Sequence, residues 1–371
     1  MTPAELRASI PALDEATYLN TGAHGPSPRA VVERVERFLE YHEYESPADD
    51  GPYSTAFATY EDVRADVADF LGADASEIAL TQSTTDGINR IATTLDWSPG
   101  DVVVRTDLEH PAGILPWRRL EREGVEVRVV ESENGRLDRD QYTEAVEGAS
   151  LVCFSAVTWN YGTRLPVGDL VDVARDAGAL TLVDAVQAIG QLPVDVHEWG
   201  ADVVAGAGHK WLLGPWGAGF LYVRRALADR LEPRAVGYRG VTEPTSETTT
   251  FKPGAPRFEI GTTSPAVHVG LREAIDLAER VGLDRTEDHI TSLADRFVDA
   301  VPVDRLVSPH TPESGLVTID VDDPAATVDR LAAEGVVVRA LPEPNAVRAS
   351  FHSFNDESDV DTLLDTLANE W

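Results

Sequence analysis

Between about residue 60 and residue 223 the chain alternates short apolar runs with amphipathic helical stretches, and few architectures accommodate that pattern. The apolar runs are Ile78 to Thr81, Val102 to Val104, Val125 to Val130, Leu151 to Ala156, Leu180 to Val183, Val203-Val204 and Gly219 to Val223. Helical segments lie between them at Asp86 to Leu95, Ile114 to Glu123 and Val167 to Ala177, and another, Glu61 to Leu71, precedes them. Continuous apolar runs are what strands buried on both faces look like, and helical crossovers are what join parallel strands. The expected class is therefore α/β, a large domain with a mostly parallel sheet sandwiched by helices.

The flanks complete the organisation. An arm occupies residues 1–20 and ends at Tyr18-Leu19-Asn20. A helix follows from about Pro28 to Tyr44, then an exposed loop from Glu45 to Tyr53, rich in Pro, Asp and Gly. A loop with Pro244, Pro253 and Pro256 separates the large domain, residues 21–250, from a smaller C-terminal α/β domain, residues 251–371. There a long helix near Val267 to Val301 precedes strands near Leu316 to Val321, Val336 to Arg339 and Ala346 to Phe351, with a closing helix from Ser358 to Trp371. A chain of 371 residues has room for two such units.

Charge narrows the partners. With 64 acidic and 31 basic residues the net charge is -33, which repels nucleic acid and anionic membrane surfaces. Only two of the basic residues are lysines, Lys210 and Lys252; the rest are arginines. An acidic surface nearly free of lysine suits concentrated salt, where self-repulsion is screened, so a halophilic origin is expected. No signal peptide or membrane-spanning run is visible, so the chain reads as soluble and cytoplasmic. Cys153 is the one cysteine, which excludes an internal disulfide and a cysteine-based metal cluster.

In a chain that has almost eliminated lysine, Lys210 stands out. It sits in Ala205-Gly206-Ala207-Gly208-His209-Lys210-Trp211, after an apolar strand, where glycine backbone lets a planar group approach and lysine can form a Schiff base with a carbonyl. The competing reading is a surface loop lysine. Asp184 ends the strand through Val183; ligands bind at such carboxyl ends, and a buried carboxylate there needs a cation such as a protonated pyridine nitrogen. Capping a helix over Ala185 to Ile189 is the alternative. Ser83, Thr84 and Thr85 open the helix near Asp86 and offer either a phosphate site or a simple cap. His110 follows the Val102 to Val104 strand, either stacking on an aromatic ligand or lying exposed in a loop. Together these pieces fit one ligand, pyridoxal 5'-phosphate held through Lys210.

At this point the chain resembles the class V aminotransferase family of fold-type-I pyridoxal-phosphate enzymes. That group includes cysteine desulfurases, cysteine lyases and isopenicillin N epimerase-like proteins. The resemblance rests on Asp184-Ala185-Val186-Gln187, on Gly208-His209-Lys210-Trp211-Leu212-Leu213-Gly214-Pro215 and on Gly217-Ala218-Gly219-Phe220-Leu221-Tyr222-Val223. It implies that Lys210 carries the cofactor and shuttles the Cα proton, Asp184 pairs with the ring nitrogen, and Gln187 donates to the ring oxygen. It also implies that His110 stacks on the ring and that Thr84, Thr85 and His209 hold the phosphate. Thr262, in Gly261-Thr262, resembles a segment reaching a neighbouring subunit's phosphate, which implies a homodimer with shared sites. Arg348 resembles the clamp for the substrate α-carboxylate, a task that suits a planar guanidinium, with a surface arginine on an edge strand as the alternative.

Three departures from the desulfurase pattern bear on the reaction. The stretch Arg339 to Asn345 holds no nucleophilic cysteine, and Cys153 falls in an apolar strand. Ala207 stands where relatives carry a phosphate-binding serine. Trp159 takes the position of the ring-contacting asparagine, leaving the role of Asn160 open. The expectation is an enzyme acting on an amino acid by transamination or carbon–sulfur lysis, with epimerisation or non-catalytic cofactor binding as alternatives.

Overall fold

The computed structural model describes residues 1–368 and 370. Its centre is a seven-stranded sheet built from β1 (Ile78–Thr81), β2 (Val102–Thr106), β3 (Glu126–Val130), β4 (Leu151–Ser155), β5 (Leu180–Asp184), β6 (Val203–Ala207) and β7 (Gly219–Val223). The spatial order is β1-β7-β6-β5-β4-β2-β3. Only β7 runs antiparallel, to both β1 and β6; the remaining pairs are parallel. Residues of β4, β6 and β7 are buried throughout, as continuous apolar runs require of a sheet covered on both faces.

Two apolar clusters pack on the opposite faces. One gathers Tyr60, Val63 and Leu71 of α2 (Pro52–Leu71) and Leu170 and Val171 of α4 (Val167–Asp176) with Phe154, Val183 and Phe220; the other gathers Ile88 and Ile91 of α3 (Thr84–Thr94) with Trp117, Leu182 and Leu221. Side chains alternate across each strand, so neighbours such as Leu182 and Val183 serve different layers. At about 1.5–3 kcal/mol for each large aliphatic or aromatic side chain fully buried, these layers dominate the stability of the sheet.

A second, antiparallel sheet holds β8 (Leu316–Ile319), β9 (Arg339–Pro342) and β10 (Asn345–Ser350), with β10 central. Its core contains Phe297, Val317, Val347, Phe351 and Leu363, joined by Leu19 from the arm. The arm is thus structured: Thr17–Tyr18 pairs in parallel with Val336–Val337, and the Ser350 amide donates to the Leu19 carbonyl at 2.8 Å.

Several expected elements change shape. The long helix expected over 267–301 is two helices, α5 (Pro265–Val281) and α6 (Leu283–Ala300), broken at Gly282, whose φ of 91° no helix contains. Leu271, Ala274 and Ile275 of α5 pack into the large sheet's core, whereas Leu293, Ala294 and Phe297 of α6 pack under the small sheet. The expected loop over 45–53 shrinks, because α2 starts at Pro52, and proline is favoured in the first turn. The helix expected from Pro28 to Tyr44, α1 (Arg29–Glu40), ends earlier than expected and continues as a wider π turn through Glu45. The closing helix is Glu357–Leu367; the expected extension reaches Asn369 and Trp371, which lie outside the described residues. No described helix is long and apolar enough to cross a membrane.

Candidate active site

The carboxyl ends of β1, β2, β5 and β6 open on one cavity of about 400 Å³. Ser83, Thr84 and Thr85 line it after β1, His110 after β2, Trp159 after β4, Asp184 and Gln187 from β5, and His209 and Lys210 after β6. Arg348 enters from β10 of the small sheet. Ten of the eleven expected site residues therefore meet in one place. The eleventh, Thr262, is exposed and does not line the cavity of its own chain.

The β1 end resolves the choice between cap and anion site by dividing it. Ser83 is the N-cap of α3, its Oγ accepting from the Asp86 amide at 3.1 Å. Thr84 is free of that duty: it is 5% exposed, and its Oγ1 has no partner within the protein. A buried hydroxyl at the N-terminus of a long helix is suited to an anion. The loop is crowded from behind, since a Cβ on Gly219 of β7 would lie 2.5 Å from the Ser83 amide nitrogen. Only glycine lets β7 pass so close to this loop.

Asp184 is 4% exposed, and its Oδ1 accepts from the Val186 amide at 3.0 Å. Residues 186–191 form turns around an isolated bridge at Ile189, so the helix over Ala185 to Ile189 that Asp184 caps in the alternative reading is not formed. Burial pushes the Asp184 carboxyl up, opposed by the Val186 amide and the charge of Lys210. Lys210 is driven down to about 8, mainly by burial and further by Arg348 and Arg339, against the pull of Asp184. A lysine so tuned is half neutral near pH 8, far below the usual lysine range, and its neutral form can accept a proton.

Gln187 is fixed at both ends of its amide. Its Nε2 donates to the Gly22 carbonyl at 2.9 Å, and its Oε1 accepts from Trp211 Nε1 at 2.7 Å. His110 Nδ1 accepts from the Ala112 amide at 3.2 Å, and its ring meets Trp159 edge-on, centroids 5.4 Å apart. Burial, then the Lys210, Arg339 and Arg348 cations, lower His110 to about 4; burial and Lys210 do the same for His209. Both imidazoles are neutral at pH 7. Trp159, not Asn160, lines the cavity.

Arg348 is 1% exposed. Its Nη1 donates to the Trp159 carbonyl at 2.5 Å, while its Nε has no partner within the protein. It lies opposite Arg339 on β9, and burial together with that neighbour lowers it to about 9. The reading as a surface arginine on an edge strand fails on both counts, because β10 is central and the guanidinium is buried. A buried cation with spare donors facing a cavity is built to meet an anion.

Sequence reasoning missed three members of this neighbourhood. Arg339 and Trp216 line the cavity, Trp216 lying 4.7 Å from the His209 ring. Glu109 lies buried just behind it. Arg339 had a signal, its two-residue offset from the Val336-Val337 strand; Trp216 and Glu109 had only their adjacency to recognised motifs.

A planar ligand with a ring nitrogen and a phosphate fits this donor set: an unpartnered buried hydroxyl at a helix N-terminus, a buried acid, a lysine tuned towards neutrality and two neutral imidazoles. That set, on a mostly parallel sheet with a smaller sheet closing one side, defines a fold-type-I pyridoxal-phosphate enzyme. The family profile for aminotransferase class V matches residues 17–363, and the chain belongs to that family. It is 33% identical to a probable cysteine desulfurase of Methanothermobacter thermautotrophicus, over 99% of this chain and 98% of the relative. It is 31% identical to a cysteine desulfurase of Haloferax volcanii, over 94% and 88% of the two chains. Among solved structures, the cystine C–S lyase C-DES in complex with its product cysteine persulfide is similar at a TM-score of 0.92 and 27% identity, covering 97% of this chain and 99% of that one. Pyridoxal 5'-phosphate is the cofactor, and the chain is a transaminase or lyase of that family.

Proposed function

We propose that the protein is a carbon–sulfur lyase that acts on a sulfur-containing amino acid and releases the sulfur in a small molecule, without storing it on a protein thiol. The observation that carries this reading is the position of Cys153. It is the only cysteine, 0% exposed in the middle of β4, and burial together with Glu109 pushes its thiol well up. Such a thiol is neither nucleophilic nor reachable. The reading is also supported by the stretch just before Arg348: Arg339 to Asn345 is a tight β9–β10 hairpin that contains no cysteine.

Pyridoxal phosphate supplies an electron sink for the bond broken at the substrate Cα. Lys210 would hold it covalently and then work as a base, Nζ taking the Cα proton. Asp184 would keep a proton on the ring nitrogen. Gln187 would donate to the ring oxygen, His110 and Trp159 would cover the ring, and Thr84, Thr85 and His209 would hold the phosphate, with Ser83 shaping the loop. Ala207 offers no hydroxyl, so the phosphate has one donor fewer than in relatives that carry serine there. Arg348 binds the α-carboxylate and aligns the Cα–H bond with Lys210. The Cβ–S bond then breaks, its electron pair leaving with sulfur; the remainder hydrolyses to a 2-oxo acid and ammonia. The similarity to a cystine C–S lyase whose product is cysteine persulfide supports cleavage of a C–S bond.

The test is to incubate the loaded protein with cystine and with cysteine and to quantify the products. Pyruvate and ammonia in equal amounts, with no persulfide on the protein, are expected. Alanine accompanied by protein-bound persulfide would refute the reading. A 2-oxo acid without ammonia, together with pyridoxamine phosphate, would assign the aminotransferase alternative that the family match supports.

Two finer properties belong to the same proposal. The protein acts as a homodimer in which Thr262 reaches the partner's phosphate, a reading supported by the exposure of Thr262 outside its own cavity. It is a halophilic, cytoplasmic protein, supported by the net charge of -33 and by relatives in Haloferax volcanii and Halobacterium salinarum. Loss of activity in dilute buffer, recovered at molar KCl, tests the salt requirement.

A further inference from the structure

Behind Asp184 lies a second buried acid. Glu109, next to His110 in the chain, is 3% exposed. Its Oε1 accepts from Thr106 Oγ1 at 2.6 Å and from the Ser155 amide at 3.1 Å, and its Oε2 accepts from Ser155 Oγ at 2.7 Å. Ser155 ends β4 and lies directly opposite Asp184 in the β4–β5 register. Three donors converging on one carboxyl favour the carboxylate and work against burial and Asp184, which raise the group to about 7, so that Glu109 is charged above that pH. The titratable groups around it are Cys153 on β4, Asp184 on β5 and His110 beside it; Arg105 of β2 turns its Nη1 to the Thr106 carbonyl at 2.9 Å. Its hydrogen bonds thus come from two hydroxyls and an amide, none of them cationic. A structural carboxylate is normally given a cation, as Glu259 is elsewhere in this chain.

We infer that Glu109 is a positioning residue for the cofactor: linked through Ser155 to the strand that carries Asp184, it adds a second negative charge behind Asp184 and so would strengthen the hold on the cofactor's protons. This rests on Asp184 facing the ring nitrogen. With two acids and one ring cation the charge stays negative at the β4–β5 end, and the cofactor holds its protons to higher pH than Asp184 alone would secure.

The isosteric change Glu109→Gln tests it. The amide keeps the same frame, with Oε1 accepting from Thr106 and the Ser155 amide and Nε2 donating to a rotated Ser155 hydroxyl, but the charge is gone. The readout is the pH midpoint of the visible absorption band of the holo-protein, measured without substrate. In Glu109→Gln the midpoint is expected to move to lower pH by about half a unit or more, with an unchanged circular dichroism spectrum. Ser155→Ala, which retains the acid and removes one donor, moves it the same way by less, and serves alone if Glu109→Gln does not fold. A midpoint unmoved in the folded variants would overturn the inference, as a merely structural role predicts. Asp184→Asn run in parallel separates the two failures. If it too leaves the midpoint unmoved, the assignment of the ring-nitrogen site falls and takes this inference with it; if it moves the midpoint while Glu109→Gln does not, only the inference falls.

Discussion

Two buried acids, Glu259 and Asp184, show how differently one chain can treat the same functional group. Glu259 is 1% exposed and electrostatically complete: Arg64 Nη2 and the Leu80 amide each donate to its Oε1 at 2.9 Å, and Arg239 Nη2 donates to its Oε2. Arg239 also lies 3.7 Å over the ring of Tyr60. Asp184 is buried nearly as deeply, but its protein partner is a single backbone amide, and the cation acting on it, Lys210, is itself a reactive group. The first acid is balanced by its own chain and fixes a loop; the second is left with a charge for something else to meet. Burial does not distinguish a structural carboxylate from a functional one, whereas the origin of the balancing charge does.

The largest expected effect is the sharpest separation of the two. Lys210→Ala removes the base, so turnover falls by a factor on the order of 10²–10⁴ while thermal stability stays level or rises, because a partly desolvated amine is gone. Borohydride should trap no cofactor on this variant; trapping on Lys252 would overturn the assignment of Lys210. Glu259→Ala should do the reverse. It removes the buried acid shared by two guanidiniums, leaving Arg64 only the exposed Glu61, and is expected to cost about 3–5 kcal/mol of folding stability, read by chemical denaturation. Arg239 Nη1 donates to the Gly261 carbonyl at 3.3 Å and Tyr60 Oη to the Thr263 carbonyl at 2.5 Å, so this cluster also braces the loop that displays Thr262. Loosening of cofactor retention in Glu259→Ala, beyond its loss of stability, is expected if Thr262 serves a neighbouring site.

That contrast also explains what the sequence could and could not disclose. The sheet was legible because strands buried on both faces are apolar without interruption, and Ile78–Thr81 and Gly219–Val223 match their expected bounds. Most of the site was legible because it hangs on the carboxyl ends of those strands, at short range from Asp184 and Lys210. Gly282 was not read as a helix break, since a lone glycine within an apolar 3.6-residue period leaves the pattern intact, and only its φ sets α5 and α6 apart. Arg64, Arg239 and Glu259 meet across almost 200 residues of chain, and no local pattern announces such a cluster. Glu109 was hidden for a similar reason: its role depends on Ser155, brought to it by the β2–β4 pairing.

Arg348 stands between the two kinds of region and sharpens the comparison at smaller magnitude. It is as buried as Glu259, yet like Asp184 it faces the cavity, and its neighbour across the sheet is a like charge, Arg339. Arg348→Ala is expected to raise KM for carboxylate substrates roughly ten- to a hundredfold, the value of a charge-assisted contact of about 1.5–3 kcal/mol. Folding stability should hold or improve, because an uncompensated buried cation has been removed. A fall in stability like that of Glu259→Ala, with KM unchanged, would move Arg348 into the structural class.

The smallest effect concerns a histidine that joins the two regions without doing chemistry. His352 is 3% exposed, its Nε2 bonded to the Trp211 carbonyl at 2.9 Å and its ring stacked 4.7 Å from Phe354. Trp211 in turn donates to Gln187 in the cavity. Burial lowers His352 to about 4, against about 6.5 in the unfolded chain. With the folded value below the unfolded one, the unfolded chain takes up the proton first. The stability contributed by neutral His352 is thus complete above pH 6.5 and is lost as the pH falls towards 4, by up to about 1.4 kcal/mol per unit. Glu109, raised to about 7 by burial, runs the other way over the same range: the folded chain keeps a proton that the unfolded chain releases, so its contribution is complete below about 4.5 and fades as the pH rises through 7. The two therefore offset each other between pH 4.5 and 6.5, and the wild-type profile there is flatter than His352 alone would make it. Substituting each in turn separates them. Denaturation of the cofactor-free protein should show His352→Gln losing less stability than wild type on acidification, and Glu109→Gln losing more. If both variants keep the wild-type slope, neither group titrates in the folded interior as its surroundings dictate.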